Sequence, residues 1–454
     1  MDDLTNRLQL IVGENGIISG PDLAERAVSY WDPSPTEAKV LVRPETTQQV
    51  SDILRLCHER RQAVVVQGGL TGVVDGALSS PDEVIISLER MNAIESVDAM
   101  DGVAVIQAGA VLQSVQEQLR EQGFLFPLDL GARGSCTIGG NIATNAGGMN
   151  VLRFGMIRNL VLGLEVVLAD GTILTSMNQM LKNNTGYDLK QLFIGSEGTL
   201  GVVTRAVIKL FPMPQSRQTA LLATESFDSV VSVLKTMKSD LAGTLSAYEV
   251  MWNSYFSSVT AEGAHRSPLS REYPYYLLVE AEGADPDADE QRFQNILEKA
   301  LENGDVVDAV VPKSETEREA LWAIREDFEA ALPAYLYDVS LPIKAMTTYV
   351  DRLESAFSEW RSDAKFLVFG HIADGNLHIF VTPFDQGIHH ERCNEIVYGC
   401  LEGLGGSISA EHGIGLDKKA WLGNTRSEDE INIMRGLKKL LDPTNILNPG
   451  KVVD

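Results

Sequence analysis

The chain has 454 residues, 44% of them hydrophobic and 22% charged, as expected for a globular protein of two or three domains. A net charge of −25 argues against nucleic acid and anionic membranes as partners, since both attract clustered Lys and Arg. We expect no transmembrane segment, because no apolar run approaches the ~18 residues that would indicate one. Four scattered cysteines and an acidic N-terminus without signal or transit features predict a cytoplasmic location.

Short β-branched segments separated by glycine fill the first 211 residues. The pattern predicts strands at 63–66, 84–86, 103–106 and 164–168, and helices at 47–60 and 111–122. Phe211-Pro212-Met213-Pro214 then marks a boundary, because we expect two prolines so close together to continue neither a strand nor a helix. We therefore predict an α+β first domain at 1–211.

Longer helices follow this boundary. Periodicity predicts helices at 227–238, 289–302 and 428–441 and a strand at 275–280. The acidic run 284–290 lacks the spacing of a calcium loop and is typical of a solvated helix start. We predict a second domain at 212–410 and a C-terminal segment at 411–454.

Four glycine-rich loops lie in the N-terminal half, at 67–72, 127–141, 142–148 and 195–201. Glycine permits close approach of the backbone to a ligand, and successive backbone N–H groups form anion sites. Each loop alone is also compatible with a tight turn in a β-rich domain, but four within 135 residues favour a large cofactor. Because neither GxGxxG nor GxxxxGK[ST] occurs, elimination indicates a dinucleotide or flavin site of another type.

Three segments, two of which contain glycine loops, carry a family resemblance. Residues 127–148, 184–189 and 193–201 resemble the PCMH-type FAD-binding domain of the vanillyl-alcohol oxidase superfamily. From about 39 to 451 the chain looks like the FAD-dependent D-2-hydroxyacid dehydrogenases, which include D-2-hydroxyglutarate and D-lactate dehydrogenases. The resemblance implies a two-subdomain FAD-binding domain, a central α+β cap domain with an antiparallel sheet, and a C-terminal helical segment that packs back at the FAD site.

The residues predicted to bind FAD lie in the glycine loops, just beyond them and near the C-terminus. They are Gln67, Gly68, Gly69, Leu70, Thr71, Gly72, Pro127, Asp129, Gly134, Ser135, Thr137, Ile138, Gly140, Asn141, Thr144, Asn145, Gly147, Gly148, Glu197, Gly198, Gly201, Val203 and Asn448. Some superfamily members attach FAD through His or Cys. Residues 67–72 contain neither, so we expect a non-covalent flavin.

Two histidines seven residues apart suggest a metal site. His371 and His378 flank a turn between apolar runs, and Glu411-His412 follows a glycine-rich loop. Two imidazoles and a carboxylate form a familiar divalent-metal set, although each histidine alone is also compatible with a backbone-bonded strand end. The resemblance implies that His371, His378 and Glu411 are the ligands and His412 acts in catalysis. We favour zinc, with manganese and iron as alternatives.

Arg325, on a predicted helix, is a candidate for the substrate carboxylate, since guanidinium binds carboxylate with two hydrogen bonds. An exposed helix charge was the alternative, and the resemblance favours the carboxylate. Hydroxyglutarate-specific members carry a lysine, an asparagine and a hydroxyl residue where this chain has Leu336, Phe380 and Glu329. A second substrate carboxylate there would be poorly paired and costly. We therefore expect an apolar or small substrate side chain, as in D-lactate.

The expected reaction is oxidation of a D-2-hydroxy acid to the 2-oxo acid, with hydride transfer to flavin N5 and a divalent metal on the substrate oxygens. Three alternatives stay open: a D-2-hydroxyglutarate dehydrogenase, an FAD subunit of a glycolate-oxidase-like complex, and a flavin-free metallohydrolase. The electron acceptor is left open among quinones, electron-transfer flavoproteins and cytochromes, and a homodimer is compatible with the sequence.

Overall fold

A computed structural model describes residues 2–261, 265–327, 332–361, 363–382 and 387–454. The chain forms two compact units. The first contains residues 1–148, 155–213 and 411–454, and the second contains residues 149–154 and 214–410. Both units combine helices with sheets, so the predicted α+β class is confirmed.

The first unit holds two larger sheets and a small one. In the four-stranded sheet, of order β1-β2-β4-β3, the pairs β2–β4 and β4–β3 are parallel. The five-stranded sheet has the order β5-β6-β10-β8-β9 and is antiparallel, and β7 pairs with β11. The strands are β1 Ile17–Ile18, β2 Val40–Val42, β3 Val64–Gln67, β4 Val84–Ser87, β5 Ile94–Asp98, β6 Val103–Gln107, β7 Phe124–Leu125, β8 Val161–Val167, β9 Ile173–Ser176, β10 Val202–Lys209 and β11 Phe211–Pro212.

Helices cover and connect these sheets. The helix Thr47–Arg60 begins where Thr46 accepts a hydrogen bond from Gln49 N, and its buried face includes the predicted Val50, Ile53, Leu54 and Cys57. The α-helices of the first unit are Asp3–Val12, Pro21–Ala24, Thr47–Arg60, Leu112–Glu121, Ile138–Thr144, Ile157–Leu160, Lys190–Phe193 and Glu428–Leu441. Glu14–Gly16 and Lys419–Asn424 are 3-10 turns.

The second unit is built on one antiparallel sheet of seven strands, in the order β15-β12-β14-β13-β17-β18-β16. Its strands are β12 Ser216–Thr224, β13 Leu245–Trp252, β14 Tyr275–Gly283, β15 Asp308–Val310, β16 Tyr335–Ser340, β17 Lys365–Gly370 and β18 Asn376–Thr382. Its α-helices are Val151–Phe154, Phe227–Asp240, Asn253–Val259, Pro286–Glu302, Glu315–Glu326, Met346–Trp360 and His390–Gly399, with 3-10 turns at Ile343–Ala345 and Ile372–Asp374.

The predicted elements are present, with shifts of a few residues at their ends. The acidic run is a helix start as predicted, because Asp285 caps the helix and accepts a hydrogen bond from Ala288 N. The expectation that no strand includes the prolines at 211–214 is wrong: Phe211 and Pro212 pair with β7. Proline is tolerated in this short ladder because an edge position need not donate a ladder hydrogen bond.

An apolar cluster on one face of the seven-stranded sheet contributes residues to the candidate site. Met251, Leu278, Phe369 and Phe380 project from the strands, and the helix Glu315–Glu326 packs Leu321, Trp322 and Ile324 against them. Among the described residues all four cysteines are free thiols. Within the same residues, no helix has both the length and the apolar character needed to cross a bilayer.

Candidate active site

The first and second glycine loops face each other at the end of β3. A Cβ atom on Gly69 would lie 2.0 Å from the carbonyl oxygen of Ser135, and one on Gly68 would lie 2.6 Å from Thr137 Oγ1. No side chain fits in either place without a shift of the opposite loop. The absence of side chains is therefore what allows the backbones of these loops to approach each other.

The third and fourth loops join the same cluster through the helix Ile138–Thr144. Gly195 N and Glu197 N donate to the carbonyl oxygens of Ile142 and Ala143, at 2.9 and 2.8 Å. Gly148 has φ +92°, and a Cβ atom there would lie 1.9 Å from the carbonyl oxygen of Asp129. The four loops predicted to bind one cofactor are thus brought together within a single unit.

The polar groups in this cluster fit a large cofactor. Asn141 Nδ2 is a buried donor that has no oxygen or nitrogen acceptor among the described residues, and an orphaned buried donor is costly unless a ligand satisfies it. Nearby Cys136 is buried, which raises the pKa of its thiol to about 11 although Asn141 lowers it. Two predicted cofactor glycines have other surroundings: a Cβ at Gly201 would meet the Val166 side chain, and one at Gly72 would meet nothing.

Glu197 and Asn448 have visible structural partners. The carboxylate of Glu197 accepts hydrogen bonds from Ile414 N at 2.7 Å and Gly415 N at 2.8 Å. Asn448 accepts from Val66 N at 2.9 Å and donates to the Glu197 carbonyl oxygen at 2.6 Å. Burial raises the pKa of Glu197, while the two backbone donors lower it. Both residues were predicted to bind FAD, and here their side chains hold the C-terminal segment in the first unit.

Glu411 and His412 begin this held segment. Glu411 Oε1 accepts a hydrogen bond from Gly148 N at 3.0 Å, next to the third glycine loop. His412 is half-buried and is followed by Gly413, where a Cβ atom would lie 2.8 Å from Glu197 Oε1. The predicted catalytic histidine therefore lies between a residue whose side chain is bonded to Gly148 and two backbone N–H groups that are bonded to Glu197.

His371 and His378 lie in the second unit on a hairpin, as the turn between them predicted. β17 ends at Gly370, where a Cβ atom would lie 2.3 Å from the Asn376 carbonyl oxygen, and Gly375 has φ +94°. These glycines permit a tight reversal, so that His371 just beyond β17 and His378 on β18 have ring centroids 5.5 Å apart. Both rings are thus presented to one region.

A buried carboxylate joins His371 to the predicted substrate arginine. Glu249, on β13, has a side chain only 1% exposed. Its Oε1 lies 2.7 Å from His371 Nδ1, and its Oε2 accepts a hydrogen bond from Arg325 Nε at 2.9 Å. The same oxygen lies 2.8 Å from Arg325 Nη2. Burial alone would raise the pKa of Glu249, but the His371 and Arg325 charges and hydrogen bonds hold it below its ordinary value.

Sequence reasoning missed Glu249. The signal available was a single acid in the apolar run Leu245-Ser246-Ala247-Tyr248-Glu249-Val250-Met251, which the structure shows to be a fully buried strand. A charged residue in such a strand needs a partner of opposite charge. Its partners are 76 and 122 residues away in sequence, so no local pattern identifies them.

Contacts other than its ion pair also hold Arg325 in place. Its guanidinium carbon lies 4.6 Å from the centroid of the Phe369 ring, and Tyr255 Oη donates to its carbonyl oxygen at 3.0 Å. Arg325 is buried rather than on an exposed helix face, so the alternative of a solvated surface charge is wrong.

Leu336 and Phe380 lie opposite each other on β16 and β18. Phe380 is buried in the apolar cluster, 5.1 Å from Phe369 between ring centroids, and Leu336 is half-buried against the same cluster. Both positions predicted to face the far end of the substrate are therefore in apolar surroundings. The third, Glu329, lies outside the described residues.

The chain passes from the second unit into the first at the Ala410–Glu411 peptide. Asp338 is fully buried on β16 in register with His378, and its Oδ2 accepts from Ala410 N at 2.9 Å. The residue before Glu411 is thus bonded to β16, the strand that pairs with the His378 strand β18.

Two protein-family descriptions match the sequence. Residues 38–176 match "FAD binding domain", and residues 213–452 match "FAD linked oxidases, C-terminal domain". The second match alone covers more than half of the chain.

Relatives align over nearly all of the chain. D-2-hydroxyglutarate dehydrogenase of Bos taurus mitochondria is 43% identical over 460 residues, which cover 100% of this chain and 83% of the bovine protein. A mitochondrial protein of Schizosaccharomyces pombe, provisionally named a D-lactate dehydrogenase, is 38% identical, with coverage of 98% and 88%. D-2-hydroxyglutarate dehydrogenase of Xanthomonas citri pv. viticola is 39% identical, with coverage of 93% and 90%. Two of these names specify mitochondria, and the cytoplasmic location stays a prediction.

Solved structures show the same fold. p-Cresol methylhydroxylase superposes with a TM-score of 0.77 at 14% identity, covering 99% of this chain and 96% of that one. Alkyldihydroxyacetonephosphate synthase gives 0.74 at 19%, covering 98% and 84%. At these identities the likeness concerns the fold alone, and it confirms the predicted PCMH-type FAD-binding architecture.

Proposed function

Because the chain belongs to the FAD-linked D-2-hydroxyacid dehydrogenases, we propose that its glycine loops bind FAD and that His371, His378 and Glu411 hold a divalent metal at the substrate. Family membership removes the flavin-free hydrolase from consideration. We assign cofactor binding to residues 1–211 and substrate binding to residues 212–410. Residues 411–454 are assigned the role of connecting the Glu411–His412 segment to the cofactor unit.

One observation carries the substrate assignment: Glu249 binds both His371 and Arg325. The Glu249 carboxylate therefore contacts both a predicted metal ligand and the residue predicted to bind the substrate carboxylate. A 2-hydroxy acid carries its hydroxyl and carboxylate on neighbouring carbons, so its recognition requires a metal and a cation at close range.

The chain's residues divide the chemistry among themselves. Bound FAD supplies the two-electron acceptor, and a bound divalent metal supplies a Lewis acid that lowers the pKa of the substrate hydroxyl. Arg325 binds and orients the substrate carboxylate through its guanidinium edge. His412 accepts the hydroxyl proton on an imidazole nitrogen, as histidine does near neutral pH. Two nitrogen ligands and one oxygen ligand favour zinc.

The substrate's far end is proposed to be apolar or small. The opposed pair Leu336 and Phe380 offers no hydrogen bond to a second carboxylate, whose burial without a partner would be costly. D-Lactate and longer apolar D-2-hydroxy acids fit this surface. The second candidate is D-2-hydroxyglutarate, which is favoured by the names of the bovine and Xanthomonas relatives.

The test is a dye-coupled turnover panel of D- and L-2-hydroxy acids with the FAD-loaded, metal-loaded protein. We expect D over L, and monocarboxylates over D-2-hydroxyglutarate. The variant Phe380→Asn should shift the ratio of kcat/KM toward D-2-hydroxyglutarate by about tenfold or more, since a paired polar group discriminates strongly. A wild-type preference of tenfold for D-2-hydroxyglutarate would contradict the apolar substrate. Absence of flavin reduction by every 2-hydroxy acid would contradict the function itself.

A further inference from the structure

Glu249 has no role among the residues predicted from sequence. We infer that Glu249 is a positioning residue that fixes the metal-binding nitrogen of His371 and the carboxylate-binding edge of Arg325 together. The inference rests on the proposed roles of those two residues and adds to them a physical connection. Glu249 touches neither substrate nor cofactor in this account, so it acts only through its two partners.

The carboxylate uses its two oxygens for different partners. Oε1 lies 2.7 Å from His371 Nδ1, whereas Oε2 accepts a hydrogen bond from Arg325 Nε and lies 2.8 Å from Arg325 Nη2. The backbone sets this arrangement, because Val250 on β13 pairs with Gly370 on β17 and thereby brings their chain neighbours Glu249 and His371 side by side. Side-chain exposures of 1% for Glu249 and 9% for His371 leave little water to replace either bond.

This geometry assigns the proton on His371. Arg325 is always charged and donates its Nε–H to Oε2, so an ionised Glu249 carboxylate that only accepts hydrogen bonds fits this contact. The contact to Oε1 therefore requires hydrogen on Nδ1 of His371. In the neutral imidazole that a metal needs, a hydrogen on Nδ1 makes Nε2 the nitrogen that carries the lone pair. Metal-binding histidines generally donate their second N–H to such a partner, and its loss costs about 10- to 100-fold in metal affinity.

The same carboxylate orients Arg325. The hydrogen bond from Nε and the close approach of Nη2 to the same oxygen orient the guanidinium plane, and the Phe369 ring covers one of its faces. Nη1 has no hydrogen-bond partner among the described residues, so the remaining edge is the one available to a substrate carboxylate. Loss of Glu249 should therefore impair metal binding and substrate binding at once, which a purely structural ion pair would not do.

Glu280 provides a matched control on the neighbouring strand β14. It is also buried, at 7% exposure, and accepts hydrogen bonds from Thr219 Oγ1, Arg318 Nη1 and Trp322 Nε1. None of these partners is a proposed ligand of metal or substrate. Glu280→Gln should therefore disturb the core of the same unit without reaching His371.

The experiment compares wild type, Glu249→Gln, Glu249→Asp and Glu280→Gln as full-length protein. We expect Glu249→Gln to weaken zinc affinity by about 10- to 100-fold in a competition with a chelator, and to raise KM for the D-2-hydroxy acid more than it lowers kcat. Glu249→Asp keeps the charge and should recover part of the zinc affinity. Glu280→Gln should match wild type in both measurements.

A second measurement needs neither metal nor turnover. With 15N-histidine labelling of the seven histidines, the metal-free wild type should show protonated Nδ1 for His371, identified by its loss in His371→Asn. This signal should move in Glu249→Gln and stay in Glu280→Gln. An unchanged signal in Glu249→Gln, or equal zinc affinities for wild type and Glu249→Gln, would overturn the inference. If wild type neither holds zinc nor reduces its flavin, the proposed function fails, and the nitrogen signal still decides the role of Glu249.

Discussion

Glu197 in the first unit and Glu249 in the second are both buried glutamates whose partners are distant in sequence, and the two differ in what they bind. Glu197 in the first unit accepts two backbone N–H groups, whereas Glu249 in the second accepts a guanidinium and an imidazole. The first arrangement holds a chain segment in place with neutral donors. The second balances charge inside a strand and orients side chains that bear charge themselves. The comparison teaches that a buried carboxylate can be satisfied by backbone N–H groups, as in the first unit, or by side chains, as in the second.

The largest expected loss of stability comes from breaking the buried ion pair of Glu249 and Arg325. Arg325→Met should destabilise the second unit by about 3–5 kcal/mol, because removing one partner of a buried ion pair leaves the other charge uncompensated. The free energy of unfolding is measured by urea titration of metal-free protein. The control Arg392→Met breaks an exposed pair with Glu395, whose side chains are 51% and 47% exposed, and should cost at most about 1 kcal/mol. Equal losses of unfolding free energy in the two variants would contradict the comparison.

A smaller effect is expected in the backbone-binding arrangement. Glu197→Gln replaces one acceptor oxygen with an NH2 group that faces a backbone N–H, so we expect a loss of about 1–3 kcal/mol in the same titration. Glu59→Gln, on the exposed face of the helix Thr47–Arg60, should stay within about 0.5 kcal/mol of wild type. The comparison would be contradicted if Glu197→Gln cost as much as Arg325→Met.

Sequence reasoning succeeded where the signal is local. The helix Thr47–Arg60 and the hairpin that carries His371 and His378 follow from capping, periodicity and turn residues within a few positions of each other. The glycine loops could also be predicted, because glycine is visible in the sequence even when the surface that its backbone approaches is not. The steric reason appears only in the fold, as at Gly69, where a Cβ atom would meet Ser135.

It failed where the partners are distant. Glu249 looked like one acid in an apolar strand, since its partners lie 76 and 122 residues away. No local pattern indicated that the Glu197 carboxylate accepts hydrogen bonds from residues 217 and 218 positions further on, and its contact with the cofactor stays a prediction. Pro212 was expected to end all strand structure, because a sequence does not reveal that its strand lies at an edge. In each case the deciding neighbour was set by topology.

The central claim is that metal and flavin act together on a D-2-hydroxy acid, and anaerobic stopped-flow measurement of flavin reduction tests it most directly. Reduction is followed for the metal-loaded protein, after exhaustive chelation, and after zinc is returned. We predict that chelation leaves the flavin absorbance in place and slows reduction by at least about 100-fold, with recovery on adding zinc, since the metal supplies several kcal/mol of charge stabilisation. An unchanged reduction rate in protein verified to be metal-free would contradict the account.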